Sequence, residues 1–189
     1  FFVLAVFPFV FMPQKTLGRV NRTQLYFKDR AKFLSMITRE IRNHEILCKK
    51  YDLKPVIRLN TTSDIMWENH KIMELFPKTQ FYDYSKHFKR MLKYLKGDMP
   101  KNYHLTFSRN EANDFQSTQV LKAGGNVAVV FRKELPETYK GFKVVSGDDH
   151  DLRFLDEANV VVGLKEKLSL NKATGKLDRD KSGFVVDLK

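Results

Sequence analysis

The sequence predicts an α/β fold, a partial (β/α) barrel-like alternation of parallel strands and helices that closes on a C-terminal β-hairpin. Three observations carry that expectation. A phrase recurs in which a short β-branched or aromatic run ends in polar side chains and is followed by a helical stretch: residues 56–60 run into 61–64, residues 80–84 into 85–86, and residues 103–107 into 108–110. Strands that alternate with single helices imply right-handed parallel crossovers. Read with a period of two, Arg58 and Asn60 oppose Ile57 and Leu59, and His104, Thr106 and Ser108 oppose Tyr103, Leu105 and Phe107. A central strand beneath helices is apolar on both faces. One polar face on two strands therefore favours a barrel-like cavity over an open doubly wound sheet, with a solvated sheet edge as the bland alternative.

The elements follow in order. Residues 1–11 are apolar, broken only by Pro8, and are shorter than the roughly 20 residues of a membrane-spanning helix. They lack the basic start and small-residue cleavage site of a signal peptide. We read them as an extension ahead of a natural start at Met12, or the chain as a fragment, against a first barrel strand or a membrane-surface anchor, and residues 12–189 as one α/β domain. Asp29 is a good N-cap for an amphipathic helix to about Tyr51, with Phe33, Leu34, Ile37, Ile41 and Cys48 on its core face. Lys54-Pro55 ends it and launches the strand 56–60. A helix over 68–76 is stopped by Pro77, a strand covers 80–84, a helix over 86–96 ends near Gly97, and a strand covers 103–108. The helix 111–123 stops at Gly124-Gly125 before the strand 126–131. Beyond it Leu135-Pro136 and Gly141 read as turns, 142–145 and 160–164 as strands, 171–183 as a polar loop and 184–188 as the closing strand.

Composition narrows the function classes. Thirty-four basic residues against 22 acidic give a net charge of +12, and the excess lies in the first hundred residues. Such a field attracts polyanions: nucleic acid, nucleotide phosphates or an anionic membrane surface. One cysteine, Cys48, excludes an intramolecular disulfide framework and an all-cysteine metal site within this chain. A reducing cytoplasm fits this usage, and no cofactor is named by any motif. Gly175-Lys176 is no phosphate loop, since Leu170 stands where its first glycine belongs and Leu177 where Ser or Thr belongs.

Four clusters are candidates for chemistry. Asn60, Thr61, Thr62, Ser63 and Asp64 concentrate short donors and acceptors at a strand end, with Arg58 before them as a possible anion clamp; Ser63 or Asp64 as a helix cap is the structural alternative. Asp83 and His104 are candidate proton carriers, and Thr106 and Ser108 would complete a ligand cavity. Lys86, Lys89, Arg90, Lys93 and Lys96 form a helix flank able to bind phosphates, or a solvated face. Asp148, Asp149, His150 and Asp151 are dense in metal-ligand types, but neighbours on a strand point apart, and a turn with an Asp–Arg153 pair is the better reading.

The phrases spanning residues 58–68, 81–86, 102–108 and 147–154 resemble a family of phage- and plasmid-borne proteins of unknown function, the group of mycobacteriophage gene product eighty-eight. The resemblance runs from about Lys15 to Leu188. Members are similar in carrying a cysteine cluster upstream, which invites comparison with partial-barrel radical S-adenosylmethionine enzymes, whose four-iron cluster needs three thiolates. This chain has one cysteine, so the resemblance implies either a truncated member or one that has lost such chemistry. Two functions are therefore expected: an enzyme, or remnant of one, binding a phosphorylated or nucleotide-like ligand at the strand ends, or a basic non-catalytic nucleic-acid-binding accessory protein.

Overall fold

The computed structural model describes residues 2–5, 13–61, 63–170, 175 and 177–188. It is a mixed α/β structure with mostly parallel strands, as the alternation predicts, and divides into two compact units, Phe1–Asp83 and Tyr84–Lys189.

The first unit contains β1 (Phe2–Ala5), α1 (Pro13–Lys28), α2 (Arg30–Lys50), β2 (Pro55–Arg58), a 3-10 turn Trp67–His70, α3 (Ile72–Leu75) and β3 (Gln80–Ser85), whose last two residues pass into the second unit. β2 lies between β1 and β3 and is parallel to both, with Val56 opposite Val3 and Gln80. Residues 2–5 of the apolar extension thus form a parallel strand; Phe1 and residues 6–11 lie outside the described residues. Asp29 caps α2 as expected, its carboxylate accepting from Lys32 N at 3.0 Å. The buried face of α2 is Phe33, Ile41, His44 and Cys48. Leu34 and Ile37 are only half-buried, and His44 takes a core position that periodicity did not claim. Burial pushes the Cys48 thiol up, which keeps it protonated and inert.

Two expectations change here. The strand ends at Arg58 and not Asn60, because Asn60 turns its amide out of the ladder toward Asp83. The helix expected over 68–76 is two pieces, separated by Lys71 in the left-handed region at φ 55°. Trp67, Ile72 and Met73 are all buried, yet on one unbroken helix Trp67 and Met73 would point roughly 120° apart at about 100° per residue. The break at Lys71 re-aims the second piece so that all three reach the core.

The second unit holds α4 (Phe88–Leu95), β4 (Tyr103–Ser108), α5 (Asp114–Lys122), β5 (Val127–Phe131), β6 (Thr138–Tyr139), β7 (Phe142–Ser146), a 3-10 turn Arg153–Leu155, β8 (Val161–Lys165), β9 (Ser169–Leu170), β10 (Leu177–Asp178) and β11 (Val185–Val186). The strand order is β4-β5-β8-β7-β6, parallel except for the β6–β7 hairpin. The sequence predicts the turn at Gly141 and the strand that follows it, and β6 is the addition; the two-residue tip of the hairpin, Lys140-Gly141, has both φ angles positive (53° and 84°), the backbone that matches strand twist. β5 is apolar along its length and β8 up to its last residue, Lys165, as central parallel strands should be. The C-terminal hairpin differs from the one expected: β9 and β10 pair antiparallel at and within the expected polar loop, with residues 171–174 and 176 outside the described residues, while the expected closing strand 184–188 is reduced to β11, which lies parallel to β5. β11 pairs with Val130 and Phe131 of β5, continuing the side on which β4 pairs with Val127 and Ala128.

Close approach explains one glycine. A Cβ on Gly147 would stand 2.6 Å from Val162 Cγ1 and 2.9 Å from Arg153 Nη1, so a side chain there would displace the Arg153 guanidinium from its seat beside β8.

Candidate functional site

The polar strand end after β2 is a hydrogen-bonded knot. Asn60, 2% exposed, uses every atom of its amide. Its Oδ1 accepts from Ser63 Oγ at 2.8 Å, Ile65 N at 3.0 Å and Trp67 Nε1 at 3.0 Å. Its Nδ2 donates to Ile65 O at 2.9 Å and to Asp83 Oδ2 at 3.2 Å, while its backbone N–H donates to Asp83 Oδ1 at 2.7 Å. Asp83 is fully buried. Arg58 Nε turns back to Asn60 O at 3.2 Å. The structure therefore gathers Arg58, Asn60, Ser63 and Asp83 around one loop. Asp64 is half-buried in that loop, and Thr62 lies outside the described residues.

In the second unit His104 and Thr106 share the polar face of β4 as the period predicts. His104 Nδ1 lies 3.1 Å from the Tyr94 hydroxyl and Nε2 lies 3.4 Å from Thr106 Oγ1. Burial, with the nearby Arg153 charge added, lowers the His104 imidazole to about 4, so at neutral pH it is uncharged. Ser108 is half-buried, and its carbonyl accepts from Asn113 Nδ2 at 3.0 Å. The sign of the His104 effect is fixed by linkage. Between about 6.5, the ordinary imidazole value, and 4 the unfolded chain binds the extra proton, so this contribution to stability is complete above pH 6.5 and is lost as pH falls toward 4. His104→Gln is expected to flatten the acid limb of a urea-midpoint-against-pH curve; limbs of equal slope in the two proteins would refute the assignment.

Arg153 was expected to pair within 148–151. Its partner is instead Asp156, three residues on, at 3.4 Å, with both side chains buried. The geometry is loose enough that Arg153 Nε and Nη1 and Asp156 Oδ2 make no hydrogen bond, while Nη2 donates to His150 O. The acidic run itself disperses: Asp148 accepts from Lys165 N at 2.8 Å, Asp151 from the Tyr84 hydroxyl at 3.2 Å, and His150 Nδ1 from Leu152 N at 3.2 Å. Among the described residues no group of three or more metal-ligating side chains converges.

The basic flank is real but one member shorter. Lys86, Lys89, Lys93 and Lys96 are exposed on and beside α4. Arg90 is a correction: it is 3% exposed, donates to the Tyr103 hydroxyl at 2.6 Å and lies 5.6 Å over that ring. Helical spacing puts position 90 beside Met91 at the β4 face, and the long guanidinium stem reaches a phenol that local sequence does not reveal. Lys86 sits 5.5 Å from the Phe184 ring. Among the described residues no carboxylate pairs with Lys89, Lys93 or Lys96.

A model of the family described as Gene product 88 matches residues 10–188. The chain belongs to that family. Gene product 88 is a phage-type family of unknown function, so membership agrees with the resemblance read from the long phrases and assigns no reaction to the residues above. No curated protein and no solved structure matches. Most of the phrases that mark the family contribute to the interior: Asn60 and Trp67 to the loop knot, Asp83 to its base, His104 to the β4 network and Arg153 to the buried pair. Sequence reasoning missed Tyr94 and Asp156; a tyrosine amid a lysine flank and an acid three residues after Arg153 were the available signals. No helix among the described residues is long and apolar enough to cross a membrane.

Proposed function

We propose that this phage-type protein binds nucleic acid, without catalysis, through the lysine face of α4. One observation carries the reading: Lys86, Lys89, Lys93 and Lys96 stand exposed at three- and four-residue spacing in a chain of net charge +12, and the last three have no carboxylate partner among the described residues. An unneutralised row along a helix is a track for phosphates, each contact releasing a counterion. The interior hydrogen bonding supports the same choice, since Asn60 and Asp83 hold each other and His104 is engaged by Tyr94 and Thr106. The test is fluorescence anisotropy with a labelled 20-mer, duplex and single-stranded, from 50 to 200 mM salt. Lys89→Glu/Lys93→Glu/Lys96→Glu is expected to weaken binding and to reduce the salt slope by about three, roughly one per lost phosphate contact. Unchanged affinity and slope would overturn it.

A phosphorylated or nucleotide-like small ligand is the second reading, favoured by Arg153, a fully buried guanidinium with two donor nitrogens lacking acceptors. Such groups call for an explanation, and an anion supplies one.

A further inference from the structure

We infer that the first unit carries a separate surface that stacks the bases of single-stranded nucleic acid, formed by the last turns of α1 and the start of α2; it rests on the nucleic-acid reading for its class of partner. Phe27 is 72% exposed, its ring open to solvent on α1. Its mounting is rigid. Phe27 meets the edge of Tyr26 with centroids 5.2 Å apart, Tyr26 meets Phe33 at 5.5 Å, and Phe33 stacks on buried Trp67 at 6.2 Å. The Tyr26 hydroxyl is fixed by His70 Nε2 at 3.3 Å, and the Arg30 guanidinium lies 4.7 Å over its ring.

The surroundings select the partner. Helical spacing puts Val20, Thr23 and Gln24 within about 60° of Phe27 on α1 and Lys28 about 100° from it, and all four are exposed. Lys28 and Arg30 form no ion pair among the described residues, and the intervening Asp29 carboxylate is engaged as the α2 cap. A face inserted among lipid headgroups presents continuous apolar side chains; here the polar Thr23 and Gln24 stand between Phe27 and Val20. A π-face flanked by cations and by an amide that can reach base edges is instead the chemistry of a single-strand platform. A duplex hides its base faces and cannot use it.

The experiment compares full-length wild type, Phe27→Ala and Phe27→Trp in anisotropy with a single-stranded 20-mer, the matching duplex, and anionic phosphatidylserine vesicles. Phe27→Ala is expected to lose about ten- to a hundredfold in single-strand affinity, with duplex affinity unchanged and Phe27→Trp restoring the loss. Equal single-strand affinity in Phe27→Ala, equal losses on both nucleic acids, or a loss confined to vesicles would each overturn the inference. The α4 triple variant separates the two surfaces: it lowers single-strand and duplex binding alike if the α4 reading holds, and leaves both intact if that reading alone fails.

Discussion

Asn60→Ala is expected to destabilise the unit of residues 1–83 by about 3–5 kcal/mol. The substitution strips the acceptor from the Trp67 indole N–H and from Ile65 N, and a donor from the buried Asp83 carboxylate. Each buried polar group left unsatisfied costs roughly 1–3 kcal/mol, more when charged. Trp67 is the only tryptophan, so its fluorescence reports this loop directly in a urea titration of the whole chain. Asn60→Asp keeps an acceptor but sets a second carboxylate against Asp83 in place of the Nδ2 donor, and should also destabilise. A wild-type midpoint for Asn60→Ala would mean that the loop is held by something other than this amide.

Arg153→Ala should be comparably damaging to the unit of residues 84–189, by roughly 3–5 kcal/mol, because it leaves the Asp156 carboxylate buried and alone. Burial already pushes the Asp156 carboxyl up, against the Arg153 charge that lowers it. Replacing both partners by apolar side chains, Arg153→Met with Asp156→Leu, removes both desolvated charges and is expected to recover most of the loss, since buried pairs contribute little net stability. A double variant as unstable as Arg153→Ala would show that the guanidinium is needed for its bond to His150 and its fit against Gly147. Inorganic phosphate decides the small-ligand reading in the same proteins: a rise in wild-type melting temperature that the double variant lacks supports an anion at Arg153, and no rise in wild type removes it.

The strands and helices were legible wherever a strong period met a strong stop. Lys54-Pro55, Pro77, Gly97 and Gly124-Gly125 delimit elements within two or three residues of where the structure puts them, and Asp29 caps as its side chain dictates. What escaped was set by tertiary partners. α1 has exposed Leu17, Val20 and Phe27 among polar neighbours, so no core stripe announced it. β6 is two residues long. The candidate residues were found as residues and misread as neighbours: polar side chains at strand ends look like ligand contacts in sequence, and only the fold reveals that Asn60 meets Asp83, 23 positions away. Arg90 shows the same limit, since a periodic charge row cannot say which member has a phenol within reach.

The segment from Asp180 to Asp187 is held differently from the rest of its unit. Arg109 Nη1 donates to the carbonyls of Gly183 and Phe184 at 2.8 and 2.7 Å, Arg132 Nη2 donates to Asp180 O at 2.8 Å, and β11 adds only Val185 and Val186 to the ladder. So short an attachment opens as a small cooperative piece, at a free energy well below that of the β5–β8 centre. Opening bares the edge of β5 at Val130 and Phe131, an apolar template for another chain's strand. The two arginine clasps therefore hold in place the short strand that covers this edge of β5.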